Sequence, residues 1–152
     1  MITRNQYTDK MKLRNIITGI AISMFLLIVA IGCEKDQQAL LTDGIWHFKN
    51  MTTDSEDETT QNIVFLAKAL MTDATMEFQE GGDYMINSPL MNEPTTGSWT
   101  LIGDDQLILT PEDGVASTAN IDVLSKSELI YIETFIDLSQ NTYSVTTSWT
   151  RK

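Results

Sequence analysis

Between residues 45 and 149 apolar side chains recur at every second position in short runs, and this alternation limits the fold more than any other property of the chain. "IWHFKNM" (45–51) puts Trp46 and Phe48 on one face, and "ATMEFQ" (74–79) does the same with Met76 and Phe78. Gly81-Gly82 then turns the chain into "DYMINS" (83–88), with Tyr84 and Ile86 inward. "GSWTLI" (97–102) and "QLILT" (106–110) flank the hairpin turn Gly103-Asp104-Asp105 and align Trp99, Leu101, Leu107 and Leu109. "TANIDVL" (118–124) and "ELIYIETF" (128–135) are parted by Ser125-Lys126-Ser127. "TYSVTTSW" (142–149) closes the series with Tyr143, Val145 and Trp149 on one face. Period-two patterning is the mark of a strand with one buried face. Eight such strands joined mostly by short polar turns predict an all-β fold with the spacing of an up-and-down barrel or a sandwich, and the eight-stranded antiparallel up-and-down barrel is the reading adopted. Closure removes exposed edges, and a barrel of this size holds its own side chains or one small ligand. The prolines of "SPLMNEPTT" (88–96) mark a loop.

One segment departs from this pattern. "TQNIVFLAKALM" (60–71) carries Ile63, Leu66, Ala67, Leu70 and Met71 at helical spacing, predicting one short helix between the first two strands. Thr59 or Thr60 is the expected cap. Leu66 and Leu70 are expected to be buried against the barrel, with Lys68 exposed.

The start of the chain is different again. Arg4, Lys10, Lys12 and Arg14 precede an uncharged apolar run of 16 residues, Ile16 to Ile31, and Ala30 and Gly32 lead into Cys33. A basic start, an apolar run and small residues match a secretory signal peptide. The competing reading, a membrane-spanning helix, needs about 20 residues. A soluble core helix would need a polar face, which this run lacks. The chain therefore divides into a signal peptide at 1–32, Cys33 with a short polar leader at 33–42, and a barrel domain at 43–152. Without residues 1–32 it has 6 Lys and Arg against 20 Asp and Glu, a net charge of −14. Such a body repels nucleic acid and anionic lipid head groups, so any membrane attachment must be apolar.

Cys33 is the only cysteine, so it forms no internal disulfide, and His47, the only histidine, is too little to complete a zinc site. No local base activates it as a nucleophile. Ala30-Ile31-Gly32-Cys33 resembles the lipobox of bacterial lipoproteins, although the usual first residue is Leu rather than Ala30. That resemblance implies cleavage before Cys33, acylation with palmitate-like chains, and an outer-membrane lipoprotein of the cell envelope. The alternative is an incidental cysteine at a signal-peptide boundary. Acyl chains contribute about 0.8 kcal/mol per buried CH₂, enough together to hold an acidic body on a membrane. The leader Glu34-Lys35-Asp36-Gln37-Gln38 is similar to surface-export signals of Bacteroidetes lipoproteins, which implies surface display.

Gly44-Ile45-Trp46 resembles the Gly-x-Trp signature of lipocalins, and "TMEFQEGGDY" and "GSWTLIGDDQLILT" are similar to small lipocalin-like domains of bacterial lipoproteins. The resemblance covers roughly residues 40 to 152. It implies a basic residue packed across the signature Trp at the closed barrel end; Arg151, sharing parity with Trp149, is the candidate, and a solvated C-terminal Arg is the alternative. A helix in place of the long open loop of ligand-transporting lipocalins, and a shorter barrel, depart from the family pattern.

The remaining chemistry-bearing residues have plain readings. His47 alternates with Trp46 and should face solvent rather than serve catalysis or a metal. Asp104-Asp105 and Glu112-Asp113 sit beside glycines in turns, where Asp bonds the backbone. "DSEDE" (54–58) lacks the glycine and spacing of a calcium loop and reads as a solvated, mobile segment. Met51, Met71, Met76, Met85 and Met91 crowd one stretch, where methionine fills core gaps or lines an adaptable pocket. The expected function is a monomeric binding protein, not an enzyme, with neither cofactor nor metal. It holds a small apolar ligand in or at the mouth of the barrel, among Trp46, Phe78, Tyr84, Met85 and Trp99. The alternative is a packed barrel whose surface contacts a protein or glycan.

Overall fold

The structure, a computed structural model, describes residues 37–137 and 140–151. The signal segment, Cys33 and the start of the leader lie outside the described residues. Eight strands form one closed antiparallel barrel in sequence order: β1 (Ile45–Thr53), β2 (Thr75–Phe78), β3 (Asp83–Asn87), β4 (Thr95–Ile102), β5 (Gln106–Pro111), β6 (Ser117–Leu124), β7 (Glu128–Ile136) and β8 (Thr142–Thr150). β8 returns to pair with β1, so no strand edge is left free along the order. A single helix, α1 (Glu58–Leu70), joins β1 to β2.

Alternation decides which side chains enter the core. Trp46, Met76, Phe78, Tyr84, Trp99, Leu107, Leu109, Ala119, Leu129, Tyr131 and Trp149 are buried in one cluster. Two bulges reset that alternation. On β1 the register shifts between Phe48 and Asn50, which brings Met51 opposite Thr147 and Thr53 opposite Val145. Cross-strand partners share a face, so Met51 and Thr53 join the inner wall where unbroken alternation would have placed Asn50. The second shift, between Ile121 and Val123, puts Leu124 opposite Leu129.

β2 is short. On its β1 side it pairs only with Ile45–His47, and α1 packs beside β1. Asp57, not Thr59 or Thr60, is the helix cap; its carboxylate accepts from Thr60 N at 2.7 Å and from Thr60 Oγ1 at 2.9 Å. Those bonds hold the Asp57 carboxyl below its ordinary value. The burial of α1 also differs from expectation. Lys68 is exposed, but so are Ile63, Phe65, Leu66 and Leu70, at 60, 68, 61 and 49%. Thr60 and Val64 are the buried positions, with Ala67 and Met71 half-buried behind them. Two apolar stripes run along this helix, and the one with small side chains lies against the barrel. The bulkier stripe is left outside.

Up-and-down topology sorts the connections onto two ends. The 79–82, 103–105 and 125–127 turns share one end with the start of β1 and the end of β8. The 54–57, 88–94 and 112–116 connections share the other with the end of β7 and the start of β8. Residues 37–42, assigned to the leader from sequence, are helical, and Leu41 is wholly buried in the barrel core.

Candidate ligand site at the barrel mouth

The first end is shut by bonds that converge on Arg151. Its Nη1 donates to Leu40 O at 2.9 Å, its Nε to Lys126 O at 2.8 Å, and its Cζ lies 4.4 Å from the centre of the Trp46 ring. Trp46 Nε1 in turn donates to Leu41 O at 3.0 Å. Gly44 adopts φ +116°, a region open to glycine, and a Cβ there would meet Arg151 Cδ at 3.4 Å. The Gly-x-Trp motif is therefore the floor of the barrel: glycine turns the chain, and the indole supports the guanidinium.

Above that floor the interior is filled. Trp46, Met76, Phe78, Leu107, Leu129 and Trp149 have at most 1% of their surface exposed. Phe78 meets Trp99 edge-on at 5.4 Å and Tyr84 at 6.4 Å, and Phe48 meets Trp149 edge-on at 5.5 Å. Trp99 also ties down the β2–β3 turn by donating from Nε1 to Gln79 O at 3.1 Å. Four of the five side chains expected to line a pocket, Trp46, Phe78, Tyr84 and Trp99, are thus brought together. Packed against one another, Trp46, Phe78 and Trp99 serve as core.

Met85 is placed elsewhere. It alternates with the inward Tyr84 and Ile86, so it faces out, over an open groove of about 520 Å³ with Asp83, Thr96, Ser98, Thr110 and Glu112. Tyr84 reaches that groove from inside because Gly97 has no side chain; a Cβ at Gly97 would lie 2.8 Å from the ring.

Toward the mouth the inner wall turns polar. Tyr131 and Glu133 share the inner face of β7, opposite Thr147 and Val145 of β8 and Ile121 and Ala119 of β6. Burial pushes the Glu133 carboxyl up, against a hydrogen bond from Ser117 that lowers it. Burial likewise raises the Tyr84 and Tyr131 phenols, and the Glu133 charge adds to both shifts, which brings Tyr84 of β3 into the field of a carboxyl on β7. Thr147 Oγ1 and Trp149 Nε1 lie near enough to the Tyr131 phenol to lower its pKa, yet neither completes a hydrogen bond. Both residues are almost wholly buried. At the rim Phe135 stacks on Tyr143 at 5.6 Å.

Sequence reasoning missed Glu133, Tyr131 and Thr147. A carboxylate at an inward position of "ELIYIETF" was the available signal, since ionisable groups are rare on a buried strand face. The other candidates are surface residues. His47 is exposed, Asp104 and Asp105 are exposed in their turn, and Glu112 and Asp113 follow β5 in another. Asp54 and Asp57 of the acidic loop hold backbone N–H groups, of Ser144 and Thr60. Among the described residues no three His, Cys, Asp or Glu are grouped to hold a metal ion.

A closed eight-stranded antiparallel up-and-down barrel is the architecture of the lipocalin class. The family model for the lipocalin-like domain matches residues 42–131, more than half of the chain, and the chain belongs to that family. Among solved structures it is similar to a complex of bovine odorant binding protein with a selenium-containing odorant, at 13% identity, 76% of this chain, 72% of that chain and a TM-score of 0.48. It is also similar to a DUF4847 family protein from Bacteroides vulgatus, at 13% identity, 72% of this chain, 95% of that chain and a TM-score of 0.44. No curated protein matches the sequence.

Proposed function

We propose that this chain is a non-catalytic, lipid-anchored binding protein of the cell envelope that receives a small, largely apolar ligand at the mouth of its barrel. The observation that carries the reading is the pair of polar atoms, Thr147 Oγ1 and Trp149 Nε1, that lie beside the Tyr131 phenol without completing a hydrogen bond, buried beneath a half-buried carboxyl. Buried polar groups are normally satisfied, so a bound molecule or ordered water is the natural partner. The test is a thermal-shift and tryptophan-fluorescence screen of the full chain against fatty acids, sterols, haem and quinones. A ligand that binds should raise the melting point and lose that effect in Thr147→Val or Tyr84→Phe. No stabilisation by any small molecule would contradict the reading.

The second reading, a surface module contacting a protein or glycan, draws on the exposed apolar stripe of α1. Ile63, Phe65, Leu66 and Leu70 form an outward face that folding does not use. Replacing Leu66 and Phe65 together by Ser should abolish partner capture under this reading and leave small-ligand binding intact.

A further inference from the structure

Glu133 is the one charged side chain among the described residues that the register puts on the inner wall toward the mouth. Ala119 faces it from β6, where Ser117 hydrogen-bonds its carboxyl, Val145 and Thr147 face it from β8, and Tyr131 lies two positions below it on its own strand. It forms no ion pair; the two ion pairs of the described residues are Lys49–Glu128 and Arg151–Asp43. The four basic side chains among those residues lie elsewhere. Lys49 and Lys68 are exposed on the outside, while Lys126 and Arg151 stand at the floor. The carboxyl is half-buried and so remains within reach from the mouth.

Two classes of ligand fit an apolar barrel, and this arrangement discriminates between them. A fatty acid would bring a second carboxylate beside Glu133, with no basic side chain among the described residues placed to offset the repulsion. An organic cation would supply the missing counter-charge in a medium where charge pairing is strengthened by exclusion of water. Tyr131 shares the inner face of β7 with Glu133, the Glu133 charge is felt by both the Tyr84 and Tyr131 phenols, and the Phe135–Tyr143 stack stands at the rim; aromatic rings attract ammonium groups. Thr147 Oγ1, buried beside the Tyr131 phenol without a completed hydrogen bond, lies one strand away. Outside the barrel, the acidic body draws cations and repels anions on approach.

Building on the mouth-binding reading, we infer that the ligand is an apolar organic cation, an ammonium group on an apolar body, held by the unpaired Glu133 carboxylate between Tyr84, Tyr131 and Thr147.

Three probes of equal chain length separate the possibilities: octyltrimethylammonium, octanol and octanoate. Each is titrated into the full chain in nanodiscs, with empty nanodiscs as blank, and followed by tryptophan fluorescence and thermal shift. The ammonium should bind about tenfold tighter than octanol, and octanoate weakest of the three. Glu133→Gln should bring the ammonium down to the level of octanol while octanol binding is kept. On the wild-type chain, lowering the pH from about 8 to about 4 should erase the preference as Glu133 takes up a proton, since the quaternary ammonium does not titrate. This measurement stands even where Glu133→Gln fails to fold. Octanol or octanoate binding as tightly as the ammonium, or a preference that survives both the substitution and the pH change, would overturn the inference and leave the mouth-binding reading standing. Failure of all three probes to bind would overturn both.

Discussion

Glu133 illustrates how a single half-buried side chain ties stability to pH. Its folded carboxyl is raised above the ordinary 4.5, so below that value both states are protonated and the group is neutral to folding. As pH rises past 4.5 the unfolded chain loses its proton first, and stability falls until the folded carboxyl has also ionised. Glu133→Gln removes this dependence, so urea unfolding of variant and wild type should diverge as pH rises, with the variant the more stable at high pH. Equal slopes against pH would contradict the burial of this carboxyl. Arg151 acts oppositely, as a purely structural ion. Arg151→Lys keeps the charge but cannot span Leu40 O and Lys126 O together or lie flat on Trp46, so it should cost about 1–3 kcal/mol in urea unfolding. The Trp46–Arg151 pairing was legible because motif and parity named both residues. Glu133 was not, because alternation marks which face a residue takes and says nothing of where along the barrel polarity is tolerated.

Strands and helix were readable to different depths. All eight strands follow from period-two runs bounded by turn residues, with ends displaced by one or two positions, because each strand needs only one apolar face. The β1 bulge was invisible, since Lys49 and Asn50 fit a continuing strand and only pairing with β8 exposes the extra residue. α1 was legible as a helix but not in its facing. Ile63, Leu66 and Leu70 make as good a stripe as Thr60, Val64 and Ala67, and periodicity does not weigh bulk against closeness of approach. Leu66→Ala should therefore change unfolding by no more than about 0.5 kcal/mol, as for exposed positions generally. Val64→Ala, losing two buried methyl groups, should cost about 1–2 kcal/mol. The reverse order would mean that the bulky stripe is the packed one. Gly97 makes the corresponding test within the sheet. A Cβ there would stand 2.3 Å from Thr110 O and 2.8 Å from Pro111 Cα, both backbone atoms, so Gly97→Ala should cost about 1–3 kcal/mol.

The whole chain joins an acidic barrel, sealed at the end its N-terminal residues enter, to a sequence expected to carry acyl chains at Cys33. Residues 37–42 lie at that sealed end and contribute Leu41 to the core. Cys33→Ser should end incorporation of labelled palmitate, and unchanged labelling would contradict the anchor. The central claim, that the mouth is a ligand site, is tested most directly by side-chain NMR of the chain titrated with octyltrimethylammonium. The account predicts that shifts gather at Tyr84, Tyr131, Thr147 and the Trp149 indole N–H and leave Trp46 Nε1 and the outer stripe of α1 unmoved. Shifts confined to Ile63, Leu66 and Leu70 would contradict it and move the binding surface to the outside of the helix.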